Sequence, residues 1–115
     1  MTAIVLSLLL GLVFIVVGMA HLQGLASSLA VRDRLRVPPR LWRAIGATEL
    51  VASAALVVGV FAIPALAVAA VAGLALLMAG AAVSHLRVSD LPGAVPAAVL
   101  CALCLVDVWL IVMWL

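Results

Sequence analysis

Most of the chain consists of four long apolar stretches separated by short polar segments. The stretches cover approximately residues 2–22, 40–63, 65–86 and 94–115. A helix needs about 20 predominantly apolar residues to cross the roughly 30 Å hydrocarbon core of a membrane. Each stretch reaches that length, so the pattern predicts an all-α membrane protein in which four transmembrane helices form a single domain over residues 1–115.

Prolines mark the starts of the later helices. Pro38 and Pro39 disfavour helix before them and suit the first turn of a helix that follows them. Pro64 indicates a tight turn between the second and third spans, and Pro92 and Pro96 bracket the entry to the fourth. The spans are therefore expected to form a bundle of helical hairpins.

The segment that follows the first span is only partly polar. Leu25 and Leu29 lie near one face of a helix, while charged residues are grouped at its end, over residues 32–36. This arrangement predicts either a short interfacial helix or an extension of the first span. The first span itself lacks a basic segment before it and a cleavage site after it, so we expect it to stay in the mature protein.

Composition supports a membrane location and argues against other partners. Only 9% of the residues are charged, and the mean hydropathy is +1.55. The positive charge is concentrated in one loop without interleaved aromatic residues, so no nucleic-acid partner is expected. The expected partners are membrane lipids and other integral membrane subunits. Because lysine is absent and Ala, Val, Leu, Gly and Arg dominate, the expected location is a bacterial inner (plasma) membrane.

All six arginines fall on one side of the predicted bundle. Cytoplasmic loops carry the excess of basic residues, so we expect a cytoplasmic loop over residues 32–43 and both termini on the non-cytoplasmic side. The loop arginines are also candidates for binding lipid headgroups or the acidic surface of a partner. They are Arg32, Arg34, Arg36, Arg40 and Arg43, and the sixth arginine, Arg87, follows the third span. Trp42 is predicted to anchor the second span at the headgroups.

The first and third spans share a weak sequence pattern. Each contains Gly-Leu, a second glycine seven residues after the first, and then His-Leu followed by a polar residue. The spacing from the second glycine to the histidine differs, however, being three residues in one span and five in the other. Two repeated helical hairpins and a chance match both remain open. In either case the small residues allow the helices to pack closely in lipid.

Glu49 is the most informative polar residue inside a span. It lies six residues beyond Arg43, which places it roughly 9 Å deeper along the helix. Charged groups at this depth face the bundle interior and pair with a partner. His21 and His85, at the cytoplasmic ends of their spans, are the candidate partners. The cluster is either a hydrogen-bonded contact between helices or a ligand and proton site. Since no second carboxylate or cysteine shares this layer, no metal site is predicted.

Two further polar features lie on the fourth span. Cys101 and Cys104 form a C-x-x-C pattern, which is found in thiol–disulfide enzymes, but apolar surroundings disfavour the reactive thiolate. Packing and redox roles both remain open, and packing is preferred. Asp107 is a second buried charge, which could pair with Ser7, mark another polar site or contact another subunit.

The polar and glycine positions resemble the DoxX-like family of small four-helix membrane proteins. The resemblance rests on G-x-x-H-L at Gly18–Leu22, then V-P-P, I-G-A-T-E-L at Ile45–Leu50 and G-A-A-V-S-H-L-R at Gly80–Arg87. It implies that Glu49 and His85 occupy family positions and that His21 fills a position that is basic in relatives. It also implies an association with quinone-linked or thiol-linked oxidoreductase complexes.

Two functions are compatible with these observations. The preferred one is a non-enzymatic accessory subunit that stabilises or regulates a larger membrane complex, such as a transporter or an oxidoreductase, because no complete catalytic constellation is present. The alternative is a quinone- or lipid-binding or thiol-redox protein that uses Glu49, His21 and His85. No cofactor is predicted for the first function, whereas the second implies a quinone.

Overall fold

The computed structural model describes the whole chain, Met1–Leu115, as five α-helices. They are α1 (Thr2–Gln23), α2 (Ala26–Leu35), α3 (Pro39–Ala62), α4 (Pro64–Arg87) and α5 (Leu91–Trp114). All except α2 are long and apolar enough to cross a membrane. This confirms the predicted all-α architecture with four transmembrane helices.

The segment after the first span forms a separate helix, α2, and not an extension of α1. Gly24 ends α1 in the left-handed conformation with a φ of 68°, which turns the chain before α2 begins. Such a cap suits glycine because it has no Cβ. Arg36 ends α2 in the same conformation, with a φ of 57°. Two left-handed residues therefore define the limits of the short helix.

The last helix begins at Leu91, three residues earlier than the predicted start at Ala94. Asp90 explains the difference, because its side chain accepts a hydrogen bond from the backbone N–H of Gly93 and so caps the first turn. Pro92 lies in that first turn, where its missing N–H costs no helical bond. Pro96 lies inside the helix.

The four spans pack side by side as antiparallel neighbours. α1 lies along α3, α3 along α4 and α4 along α5, while α1 contacts α5 less extensively. Between them lies an apolar core whose fully buried side chains include Phe14, Leu56, Leu74, Val71 and Ile111. α2 lies outside this core and contacts mainly α1.

Glycines allow the closest approaches between helices. A Cβ added to Gly18 would lie 2.9 Å from the backbone oxygen of Gly46, and one added to Gly46 would lie 2.9 Å from the oxygen of Gly18. Helices in lipid associate through such backbone contacts because burying leucine there gains little. The pair brings the end of α1 and the first half of α3 together and so sets the position of the next polar residues.

Candidate functional site

Glu49 of α3 and His21 of α1 face each other directly beside the glycine contact. The distance from His21 Nε2 to Glu49 Oε1 is 3.4 Å. Glu49 is 0% exposed, and neither of its carboxyl oxygens has a hydrogen-bond partner. Buried polar side chains are nearly always hydrogen-bonded. Glu49 is therefore an unusual buried group with unused hydrogen-bonding capacity.

The other edge of the His21 ring is fixed by α2 and by the start of α3. His21 Nδ1 lies 2.7 Å from the hydroxyl oxygen of Ser28, and that oxygen accepts a hydrogen bond of 3.0 Å from the indole N–H of Trp42. The rings of His21 and Trp42 also pack together, with their centroids 4.2 Å apart. Ser28 thus connects α2 to the pair formed by His21 and Glu49.

Trp42 lies near the start of α3 and directs its side chain into the bundle. Its side chain is buried, with 5% of the residue exposed. The ring packs against His21, and its N–H donates a hydrogen bond to Ser28. A buried tryptophan normally needs such a partner.

His85 is held by a different acid, Asp90, which follows α4. The distance between His85 Nδ1 and Asp90 Oδ2 is 2.7 Å, and Arg34 of α2 donates a hydrogen bond of 3.1 Å to the same oxygen. These hydrogen bonds, first that of His85 and then that of Arg34, lower the pKa of Asp90. A Cβ on Gly93 would collide with the His85 ring and the Asp90 carboxylate. Asp90 therefore joins α2, α4 and α5 at one end of the bundle.

A cavity of about 490 Å³ lies between these two groups of polar residues. Its lining is mostly apolar, with 13 hydrophobic residues among 20, and it includes His21, Glu49 and His85. Leu41 and Leu76 also line it, and they are 52% and 76% exposed, so the cavity reaches the surface of the bundle. The structure thus brings His21 against Glu49, and it places His85 on the same cavity with a separate partner.

The polar residues of the fourth span lie apart from this cavity. Asp107 accepts a hydrogen bond of 2.7 Å from Ser7, which is the first of the three arrangements open from the sequence. Cys101 and Cys104 are free thiols; Cys104 is buried, and Cys101 donates to the backbone oxygen of Ala75 over 3.4 Å. Neither cysteine lines the cavity.

The basic residues of the loop fall into two groups. Arg34 pairs with Asp90, and Arg32 pairs with its neighbour Asp33 over 3.0 Å. The other three loop arginines are exposed and form no ion pair within the chain; they are Arg36, Arg40 and Arg43. These three exposed arginines can contact lipid headgroups or a partner protein.

Sequence reasoning missed three residues that build the site, which are Ser28, Trp42 and Asp90. For Asp90 a signal was present, because aspartate is a typical helix N-cap and Pro92, two residues later, suits the first turn of a helix. Ser28 carries no comparable signal. Its role depends on how α2 folds back toward α1 and α3, which no local pattern encodes.

Comparisons with known proteins agree with this architecture. The model of the DoxX-like family matches residues 5–106. Searches of curated proteins and of solved structures found no match to the chain. The family match includes α2, α3 and α4 completely and reaches into α1 and α5, so it contains every residue of the candidate site. The chain belongs to the DoxX-like family.

Proposed function

We propose that this protein binds an amphiphilic ligand, a quinone-type molecule or a lipid, in the cavity between α1, α3, α4 and α5. The observation that carries the proposal is Glu49, a fully buried carboxyl group whose two oxygens have no hydrogen-bond partner and which lines the cavity. Ionisable groups inside a membrane bundle typically mark ligand or proton sites.

The size and lining of the cavity suit such a ligand. Ligand pockets typically have volumes of about 300–1,000 Å³, are lined mainly by apolar side chains and contain a few polar groups that orient the ligand. Here the apolar lining would hold a ring or chain, and Glu49 and His85 would hold the polar head. Because Leu76 lies halfway along α4 and is exposed, a ligand can enter from the lipid phase.

Titration calorimetry of the detergent-solubilised chain tests this proposal. The ligands are a 2-alkyl-1,4-naphthoquinone, its hydroquinone and a lysophospholipid, so that the quinone and lipid sources are distinguished. We expect Glu49→Gln and His85→Ala each to lower the affinity for the tightest-binding of these ligands about tenfold. A loss of this size corresponds to one hydrogen bond to a polar or charged group.

Thr48→Ala is the matched control for these variants. Thr48 is exposed, its hydroxyl bonds to its own helix at Ala44, and it does not line the cavity. Its removal should leave binding unchanged. Equal affinity of all variants and the wild type for every ligand would contradict the proposal.

The second candidate function is a non-enzymatic accessory subunit of a larger transporter or oxidoreductase complex. It is supported by Gly73 of α4, which is exposed and has open space where a Cβ would project. Such a position allows the backbone of a neighbouring helix to approach closely. Purification from native membrane in mild detergent, with identification of co-purifying subunits, tests this role. A chain that always elutes alone, and whose deletion leaves every large membrane complex intact, would exclude it.

A further inference from the structure

The end of the bundle that holds α2 and the turn between α4 and α5 carries an excess of positive charge. Six arginines and two aspartates lie there, whereas the turn between α3 and α4, at the opposite end, contains no charged side chain. Both aspartates already have a partner. Asp33 pairs with Arg32 over 3.0 Å, and Asp90 pairs with Arg34 over 3.1 Å. Four positive charges therefore remain at this end without an acidic partner in the chain.

The remaining charge is carried by four exposed arginines, which we call the cationic surface. One caps the end of α2, two lie in the first two turns of α3 and one is the last residue of α4; they are Arg36, Arg40, Arg43 and Arg87. None of them forms an ion pair. The set differs from the candidates that the sequence offered, because it includes Arg87 and leaves out Arg32 and Arg34. None of the four lines the cavity, so the partner of the cationic surface is separate from the cavity ligand.

Exposed apolar side chains lie directly beside these arginines. Leu41 follows Arg40 in α3 and is 52% exposed. Leu86 precedes Arg87 in α4 and is 55% exposed. On a membrane-spanning helix such leucines face the hydrocarbon, while an arginine at the helix end keeps its stem among apolar groups and its guanidinium among the headgroups. The cationic surface is therefore mixed with lipid-facing side chains, as a boundary with headgroups requires.

We infer that the cationic surface binds anionic phospholipids, so that phosphatidylglycerol contacts this end of the bundle in preference to phosphatidylcholine. A guanidinium forms charge-assisted hydrogen bonds with the phosphate of either lipid. Phosphatidylcholine, however, brings its own cation and leaves the excess of arginine unbalanced, whereas phosphatidylglycerol brings a net negative charge. Each arginine acts on the headgroup beside it, so the selectivity does not require one lipid to reach several arginines.

Electron paramagnetic resonance of spin-labelled lipids tests this inference on the full chain in reconstituted vesicles. Phosphatidylglycerol and phosphatidylcholine with identical labelled acyl chains report the fraction of each lipid that the protein immobilises. Beside each arginine we expect about a fivefold preference for phosphatidylglycerol, which corresponds to about 1 kcal/mol. Averaged over both ends of the bundle, the preference should be about twofold or more at low ionic strength and should fall in high salt, which screens exposed charges.

Two results with the wild-type chain would overturn the inference. If the two lipids are immobilised equally at low ionic strength, the cationic surface does not select anionic lipid, and an acidic protein becomes the partner to seek. If phosphatidylglycerol is preferred but salt does not change the preference, unpaired charge is not its cause. Neither result bears on the ligand of the cavity, because the four arginines lie outside it.

Charge variants locate the effect. A fourfold variant with glutamine at each arginine of the cationic surface should lose the preference. The matched control is Arg32→Gln combined with Asp33→Asn, which removes an arginine without changing the unpaired charge and should retain the preference. Asp33→Asn alone frees Arg32 and should raise the preference, a gain that misfolding does not explain.

A preference that is equal in the wild type and the fourfold variant would contradict the assignment to these arginines. The same holds if the matched control loses the preference as fully as the fourfold variant. If the fourfold variant fails to fold, the salt dependence of the wild type and the gain in Asp33→Asn still decide the inference.

Discussion

At the scale of single residues, the two acids inside the spans differ in what surrounds them. Glu49 and Asp107 are both fully buried, but Asp107 accepts a hydrogen bond from Ser7 while Glu49 accepts none. Asp107 can be understood as a contact between α1 and α5, because such bonds hold helices together in lipid. Glu49 has no equivalent contact, and this contrast is why we assign the ligand to its side of the bundle.

Ser28 is expected to fix the tautomer of His21. In the wild-type chain the ring should carry its proton on Nε2, because Ser28 donates to Nδ1. Ser28→Ala removes that donor, so the ring should shift toward a mixture of the two tautomers. Imidazole nitrogen-15 chemical shifts at neutral pH distinguish these states. Ser27→Ala, at an exposed neighbour, is the control, and identical His21 spectra for the wild type and Ser28→Ala would refute this role.

Asp90 should make stability depend on pH in the acid range. Its folded pKa lies below the ordinary value of about 3.9. A carboxyl shifted in this direction stabilises the folded state fully above about pH 4, and the contribution is lost as the pH falls through the folded pKa. Thermal unfolding in detergent should therefore show wild type more stable than Asp90→Asn at pH 6, with a difference that shrinks below about pH 4. A difference that grows on acidification would contradict the arrangement around Asp90.

From the sequence, His21 and His85 were both candidate partners of Glu49, because both histidines lie at a depth similar to that of Glu49 or slightly shallower. In the structure His21 Nε2 lies 3.4 Å from Glu49 Oε1. His85 lies at a similar depth, yet its closest acid is Asp90, five residues away in sequence. That preference depends on the tight turn between α4 and α5, which hydrophobicity does not describe.

At the scale of helices, hydrophobicity predicted the four spans but left open whether the segment after the first span forms a separate helix or extends it. The predicted spans agree with the observed helices to within about one residue at most of their ends, because the length needed to cross a membrane leaves little freedom. The separate existence of α2 depends on left-handed conformations at Gly24 and Arg36. Glycine signals such a turn, and Pro38 and Pro39 limit how far α2 can extend, but nothing in the sequence signals the left-handed conformation of Arg36.

The contact between Gly18 and Gly46 should be sensitive to a single added methyl group. In Gly46→Ala the new Cβ would lie 2.9 Å from the backbone oxygen of Gly18 and from His21 Cβ, and backbone cannot move aside cheaply. We expect a loss of about 1–3 kcal/mol in the free energy of unfolding, as for other overpacked sites. Denaturation in mixed detergent measures this change in the free energy of unfolding.

Gly73→Ala is the matched control for this substitution. Gly73 lies in the middle of α4, and a Cβ there meets nothing within 4 Å. The change should be neutral or slightly stabilising because alanine favours helix more than glycine does. Equal losses at Gly46 and Gly73 would show that the close approach of α1 and α3 does not limit stability.

At the scale of the whole molecule, the distribution of arginine predicts how the bundle is oriented. All six arginines fall on the side of the bundle that holds α2 and the turn between α4 and α5. The positive-inside rule places this side in the cytoplasm, with both termini outside. The cavity would then lie in the cytoplasmic half of the membrane.

Two single cysteine substitutions test this orientation in intact bacterial cells. Arg40→Cys lies at the exposed start of α3, and Leu115→Cys lies at the exposed end of the chain. A membrane-impermeant maleimide should label Leu115→Cys in intact cells and Arg40→Cys only after lysis. Cys104 is buried and Cys101 partly buried, and unsubstituted protein measures the background from them. The reverse labelling pattern would show that the bundle has the opposite orientation.

The central claim is that one cavity, lined by Glu49 and His85, holds the ligand. Photolabelling with an azido derivative of the naphthohydroquinone, followed by peptide mapping, tests it most directly, and excess unlabelled hydroquinone separates specific from nonspecific labels. The account predicts that competed labels fall on residues that line the cavity, on α3 near Glu49 and on α4 near His85. Competed labels confined to outward-facing residues such as Val58 and Val112, with none in the cavity, would contradict it.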